Sequence, residues 1–88
     1  MEIQYSRRFI KQLKKLPADI KVAFKERLKI FLENKYHPLL CNHPLRGDFV
    51  GCHSLNVTGN YRAIFKELNN GEIIIFSAIG DHHRLYGK

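Results

Sequence analysis

The spacing of apolar residues changes once along this chain, and that change limits the folds open to it. Through residue 34 the apolar side chains recur at helical intervals; after Gly51 they alternate or run together as in strands. Helices followed by strands make an α+β protein, with the helices gathered on one face of a mostly antiparallel sheet. At 88 residues this is a single domain, spanning 1–88, with one modest core. Any site is therefore expected on the surface of the sheet and not in a deep crevice.

The predicted order is β-α-α-β-β-β. Met1–Tyr5 reads as a short strand, and Ser6 as the N-cap of a helix whose stripe is Phe9, Ile10, Leu13 and Leu16. Pro17 ends that helix and suits the first turn of the next. The second helix runs from Ala18 to Asn34, with Ile20, Ala23, Phe24, Leu28, Phe31 and Leu32 on its core face. The two form an antiparallel hairpin. Val22 and Ile30 fall off the stripe, and read either as a shared second face for a partner or as isolated surface apolar residues. Residues 35–51 form a long connection tacked down by Leu39, Leu40, Leu45 and Phe49. His53–Val57 and Tyr61–Leu68 alternate as strands, and Asn69-Asn70-Gly71 marks a hairpin. Glu72–Ile79 is almost continuously apolar, which predicts the central strand. The helical hairpin covers one face of this sheet and leaves the other concave or open.

Charge narrows the partners. Fifteen Lys and Arg against eight Asp and Glu give a formal +7, which favours a polyanion. Residues 1–36 carry ten basic and four acidic groups, among them Lys11, Lys14 and Lys15 on the first helix; the remainder carries five and four. All five His lie in that remainder, among them His43, His53, His82 and His83. The basic helices thus read as a docking surface apart from the titratable groups. No apolar run is long enough to span a bilayer, so no membrane partner is expected. Cys41 and Cys52 lack metal-module spacing and read as reduced thiols of a cytoplasmic protein; no metal or cofactor is expected.

Several residues have the chemistry to cut RNA without a metal. His82 and His83 follow the almost continuously apolar strand, next to Asp81 and Arg84 and shortly before Tyr86. His43 projects from the long loop, with Arg46 nearby, and Lys66 adds positive charge to the same half of the chain. Arg62 stands mid-strand, where a guanidinium suits a phosphate. A 2′-OH must lose a proton to attack the adjacent phosphate, and the leaving 5′-oxygen must gain one. Imidazoles do both near neutral pH. Arginine offsets the extra negative charge, and a tyrosine ring can stack on a base. Sequence alone leaves open which imidazole acts as acid and which as base.

The chain resembles the RelE/ParE superfamily of bacterial toxins from type II toxin–antitoxin systems. The similarity rests on Asn42-His43-Pro44-Leu45-Arg46-Gly47, on the strand Gly59-Asn60-Tyr61-Arg62-Ala63-Ile64-Phe65, and on the tail from Ile79 to Gly87. The first and last pieces are similar to the YafQ branch; the Tyr-Arg strand is more like RelE. The resemblance implies a ribosome-dependent mRNA endonuclease that cuts the A-site codon, leaves a cyclic phosphate and a 5′-OH, and is neutralised by a cognate antitoxin. It implies His43, Arg62, His82 and Tyr86 as catalytic. Asn56 stands where the YafQ pattern has a strand histidine, and Asn60 where it has an aspartate, followed by Tyr61. With Arg46, Lys66, His83, Arg84, Lys11, Lys14 and Lys15, these three make up the expected RNA contacts. The alternatives on the same fold are a ParE-like inhibitor of DNA gyrase, or a degenerate relative that only binds its antitoxin.

Overall fold

Ser6 turns the chain from strand to helix. It follows β1 (Glu2–Tyr5) and precedes α1 (Arg7–Lys14) in a computed structural model that describes residues 1–86. Gly87, the end of the tail motif, lies outside the described residues. The Phe9 N–H donates to Ser6 Oγ at 3.0 Å, satisfying a helix-terminal donor as an N-cap should. The same hydroxyl donates to the Ser77 carbonyl at 3.1 Å. Ser6→Ala removes both bonds, so an expected loss of about 1–2 kcal/mol lowers the melting temperature by roughly 5–10 °C. Thermal denaturation followed by circular dichroism checks this; an unchanged midpoint refutes it.

Pro17 precedes α2 (Ala18–Glu33), as its fixed φ favours. Two 3-10 turns, Pro38–Leu40 and Gly47–Phe49, flank β2 (His43–Pro44) in the long connection. β3 (His53–Asn56), β4 (Tyr61–Leu68) and β5 (Ile73–Asp81) follow, and α3 (His82–Tyr86) ends the described chain. The sheet order is β1-β5-β4-β3-β2, with β1 parallel to β5 and every other pair antiparallel. The expected α+β architecture holds, with β2 and α3 added. β5 is interior but not central; β4 occupies the middle, because β1 pairs on the far side of β5. In the β4–β5 turn Asn69 and Asn70 adopt φ of 51° and 57°, a conformation asparagine tolerates well.

Phe9, Ile20, Phe24 and Phe31 from the helices pack on Leu55, Phe65, Ile74, Phe76 and Ile79 of the sheet. Ile10 and Leu32 belong to the helix stripes by spacing, yet they are 43% and 49% exposed, and Leu39, expected to tack the connection down, is 53% exposed. Ile10 follows the fully buried Phe9 by one position, about 100° around the helix, which turns it to the rim. Val22 is exposed as expected, but Ile30 packs on the main core, so the two do not share a free face.

β5 changes phase along its length. Ile64 pairs with Ala78 and Phe65 with Phe76, so Ser77 is an extra residue, a β-bulge. Ile74 and Phe76 face the helices, and after the bulge Ile79 does so again. Ala78 turns to the opposite face, where it packs with Cys52, Ile64 and Leu85. Leu45, Phe49 and Tyr86 border this second cluster. The second face is therefore partly covered by the long connection and α3, not open as expected. Leu45, Phe49 and Leu85 are the apolar side chains that reach down to it.

Candidate functional site

The covered part of that second face leaves a cleft of about 520 Å³ beside it, lined by His43, Leu45, Arg46, Asp48, Phe49, Ser54, Arg62, His82 and Tyr86. Five elements build it: β2, the following 3-10 turn, β3, β4 and α3. All four residues expected to be catalytic meet here, together with Arg46.

His43 is exposed on the two-residue strand β2, which pairs with Ser54 and His53 of β3. Its Nδ1 lies 2.7 Å from the Cys41 carbonyl oxygen. A carbonyl only accepts, so Nδ1 carries the proton, and the neutral ring keeps its lone pair on Nε2. The carbonyl is aimed by Cys41 itself, which sits in the left-handed region (φ 45°) at the end of the first 3-10 turn.

His82 opens α3 instead of standing at a bare sheet edge. Its backbone N–H donates to the Asn60 carbonyl at 2.9 Å. Asp81 Oδ1 accepts the Arg84 N–H at 2.7 Å, an N-cap for the short helix. His82 and Tyr86 are four residues apart on one helical face, with ring centroids 4.6 Å apart and nearly edge to face. Helical spacing thus places His82 in the cleft and leaves His83 outside it. Tyr86 is held in turn by an edge-to-face contact with Phe49, centroids 5.6 Å apart, and by Oη donating to Ser54 Oγ at 3.4 Å.

Arg62 curls over the β3–β4 turn. Its Nη1 donates to the carbonyls of Thr58 and Gly59 at 3.0 Å each and of Tyr61 at 3.2 Å. Nε and Nη2 have no partner among the described residues. The guanidinium is therefore fixed by one nitrogen, with donors left for an anion in the cleft. Asp48 and Ser54 are lining residues that the sequence reading missed. Ser54 had a signal, since alternation against Leu55 puts it on the second face. Asp48 had none, because a 3-10 turn imposes no readable period.

The other expected contacts lie elsewhere. Asn56 pairs with Arg62 across the strands but does not line the cleft. Asn60, Tyr61, His83 and Arg84 line a neighbouring hollow that shares His82 with the cleft. Lys15 lines a third hollow with Tyr61 and Arg84, so the end of α1 adjoins the site and is not set apart from it. Lys11 and Lys14 are exposed on α1, and Lys66 is exposed on β4; none of them lines these hollows. Among the described residues no three His, Cys, Asp or Glu side chains gather as a metal site would need, and no helix is long and apolar enough to cross a membrane.

The family described as the ParE toxin of type II toxin–antitoxin system, parDE, matches residues 3–86. The chain belongs to this toxin family. The toxin's fold is also that of YafQ from E. coli strain BL21(DE3), at 22% identity and a TM-score of 0.79 over 98% of both chains. A YoeB/ParE toxin from Agrobacterium tumefaciens aligns with a TM-score of 0.77 and 15% identity, covering 93% of this chain and 99% of that one. YafQ within the E. coli DinJ–YafQ toxin–antitoxin complex gives 0.76 and 23% identity, over 98% and 97%. No curated protein sequence matches the toxin.

Proposed function

We propose that the toxin is a ribosome-dependent endoribonuclease that cuts mRNA in the A site without a metal. One observation carries the reading: two imidazoles, two guanidiniums and a phenol line a single cleft. His43 Nε2 takes the proton of the 2′-OH, and the 2′-oxygen attacks the neighbouring phosphorus. The bond from phosphorus to the 5′-oxygen breaks, and His82 gives that oxygen its proton. The products are a 2′,3′-cyclic phosphate and a 5′-OH. Arg62, with Arg46 beside it, holds the phosphorane charge. Tyr86 orients His82 and offers a face to a base. Asn60, Tyr61, His83, Arg84 and Lys15 continue a polar track for flanking RNA or ribosome. Asn56, Lys66, Lys11 and Lys14 act at longer range, through charge or by supporting Arg62.

The partner is a cognate antitoxin, as DinJ is for YafQ. An apolar groove between α1 and α2, lined by Tyr5, Ile10, Leu13 and Leu28 and bordered by Lys21 and Lys25, suits an acidic amphipathic segment of it. The ParE family match favours a second reading, inhibition of DNA gyrase by protein binding alone. Expressing the toxin and assaying translation-dependent mRNA cleavage beside gyrase supercoiling separates the two. Cleavage at A-site codons supports the first; gyrase poisoning with intact mRNA supports the second and overturns the first. Neither activity leaves a toxin that only binds its antitoxin.

A further inference from the structure

On the helix side of the sheet, behind the cleft, four side chains and one backbone carbonyl close a ring. Asn42 Nδ2 donates to the Lys35 carbonyl at 2.9 Å. That acceptor fixes the amide, so Asn42 Oδ1 faces His53 Nδ1 at 3.2 Å, and His53 must donate there. The other ring nitrogen, Nε2, points to Glu67 Oε2 at 3.7 Å, and Glu67 Oε1 accepts from Lys35 Nζ at 2.7 Å. This hydrogen bond holds the Lys35 ammonium above the usual lysine range, against the cost of its desolvation. The His53 ring lies on Phe65, centroids 5.3 Å apart and 21° from parallel. Nδ1 and one face of His53 are thus engaged, with Nε2 turned toward Glu67, although it takes no part in the proposed reaction.

The residue that His53 holds immediately precedes His43. β2 is only two residues long, and His43 is exposed on it. Beyond His43 the chain is tied by the Leu45 N–H to the Cys52 carbonyl at 2.9 Å. Before His43 the nearest side-chain tie to the sheet is Asn42. We propose that His53, acting through Asn42, is the positioning residue that sets the His43 imidazole over the cleft. The kinetic part rests on the proposed RNA cleavage; the structural part does not.

His53→Phe keeps a ring on Phe65 and deletes the Nδ1 donor. His53→Asn places an amide N–H where Nδ1 stood. In ribosome-dependent cleavage, His53→Phe is expected to lower kcat about 10–100-fold with KM within about twofold, and His53→Asn to recover most of the loss. Asn42→Ala should match His53→Phe, and serves if that variant does not fold. In the NMR spectrum of the free toxin, the His43 ring signals should shift or split in His53→Phe and return in His53→Asn. A kcat within about twofold of wild type, a loss that His53→Asn does not repair, or unmoved His43 signals each overturn the proposal. If the wild-type chain cuts no RNA, the proposed function fails, and the His43 signals still decide the role of His53.

Discussion

Replacing His43 with alanine is expected to slow ribosome-dependent mRNA cleavage by about 10²–10⁴-fold, the usual contribution of a positioned general base. The same range is expected for His82→Ala. In barrier terms each loss is roughly 2.7–5.5 kcal/mol. The Cys41 carbonyl pins the proton on Nδ1 of His43, so Nε2 is the nitrogen free to accept. In the proposed reaction the two share one proton-transfer step, so the double variant should lose far less than the product of the single losses. Single-turnover cleavage on programmed ribosomes measures this, with antitoxin binding as a check on folding. Cleavage by His43→Ala at the wild-type rate would exclude it as the base, and Asp48, the carboxylate in the same cleft, would become the candidate.

The largest loss of stability is expected from Phe76→Ala. Its ring is fully buried and meets those of Phe9, Phe24, Phe31 and Phe65 at centroid distances of 5.4–6.0 Å. Tyr5 stacks on it at 5.9 Å. Truncation of such a ring costs about 3–5 kcal/mol, through lost burial and the cavity left behind. A small domain has about 5–15 kcal/mol in all, so the variant sits near its unfolding threshold. Urea denaturation reads the change directly. A loss under about 1 kcal/mol would mean that the surrounding rings collapse into the gap.

The helical half was readable because its pattern is long. Phe9, Ile20, Phe24 and Phe31 recur at helical spacing, and Ser6 stands where a cap is needed; all five do what the spacing implied. The asparagine-rich turn was equally plain. The features without a sequence signal are short or depend on distant partners. A two-residue strand at His43 and a five-residue helix at His82 have no period to detect. The bulge at Ser77 hides inside a run that is apolar on either side of it. The cover over the second face comes from Leu45, Phe49 and Leu85, whose burial is decided by tertiary packing. The site followed the same rule. His43, Arg62, His82 and Tyr86 were visible as chemistry, but their convergence depends on loop and helix placement. His82 and not His83 faces inward because α3 is a helix, with His82 four residues from Tyr86.

The parallel pairing of β1 with β5 also sets a timetable. Ser6 and Ser77, joined through a hydroxyl, are 71 residues apart in sequence. At about 5–20 residues per second, ribosomes need roughly 4–14 s to make the stretch between them. Until then the first strand has no neighbour, the aromatic core lacks Phe76, and His82 has not been made. The earliest segments of the nascent toxin are therefore idle during synthesis, with the apolar sides of α1 and α2 still bare. Poisonous activity can arise only when the last strand is in place, so the interval before completion is a window in which a waiting partner can engage the helices first.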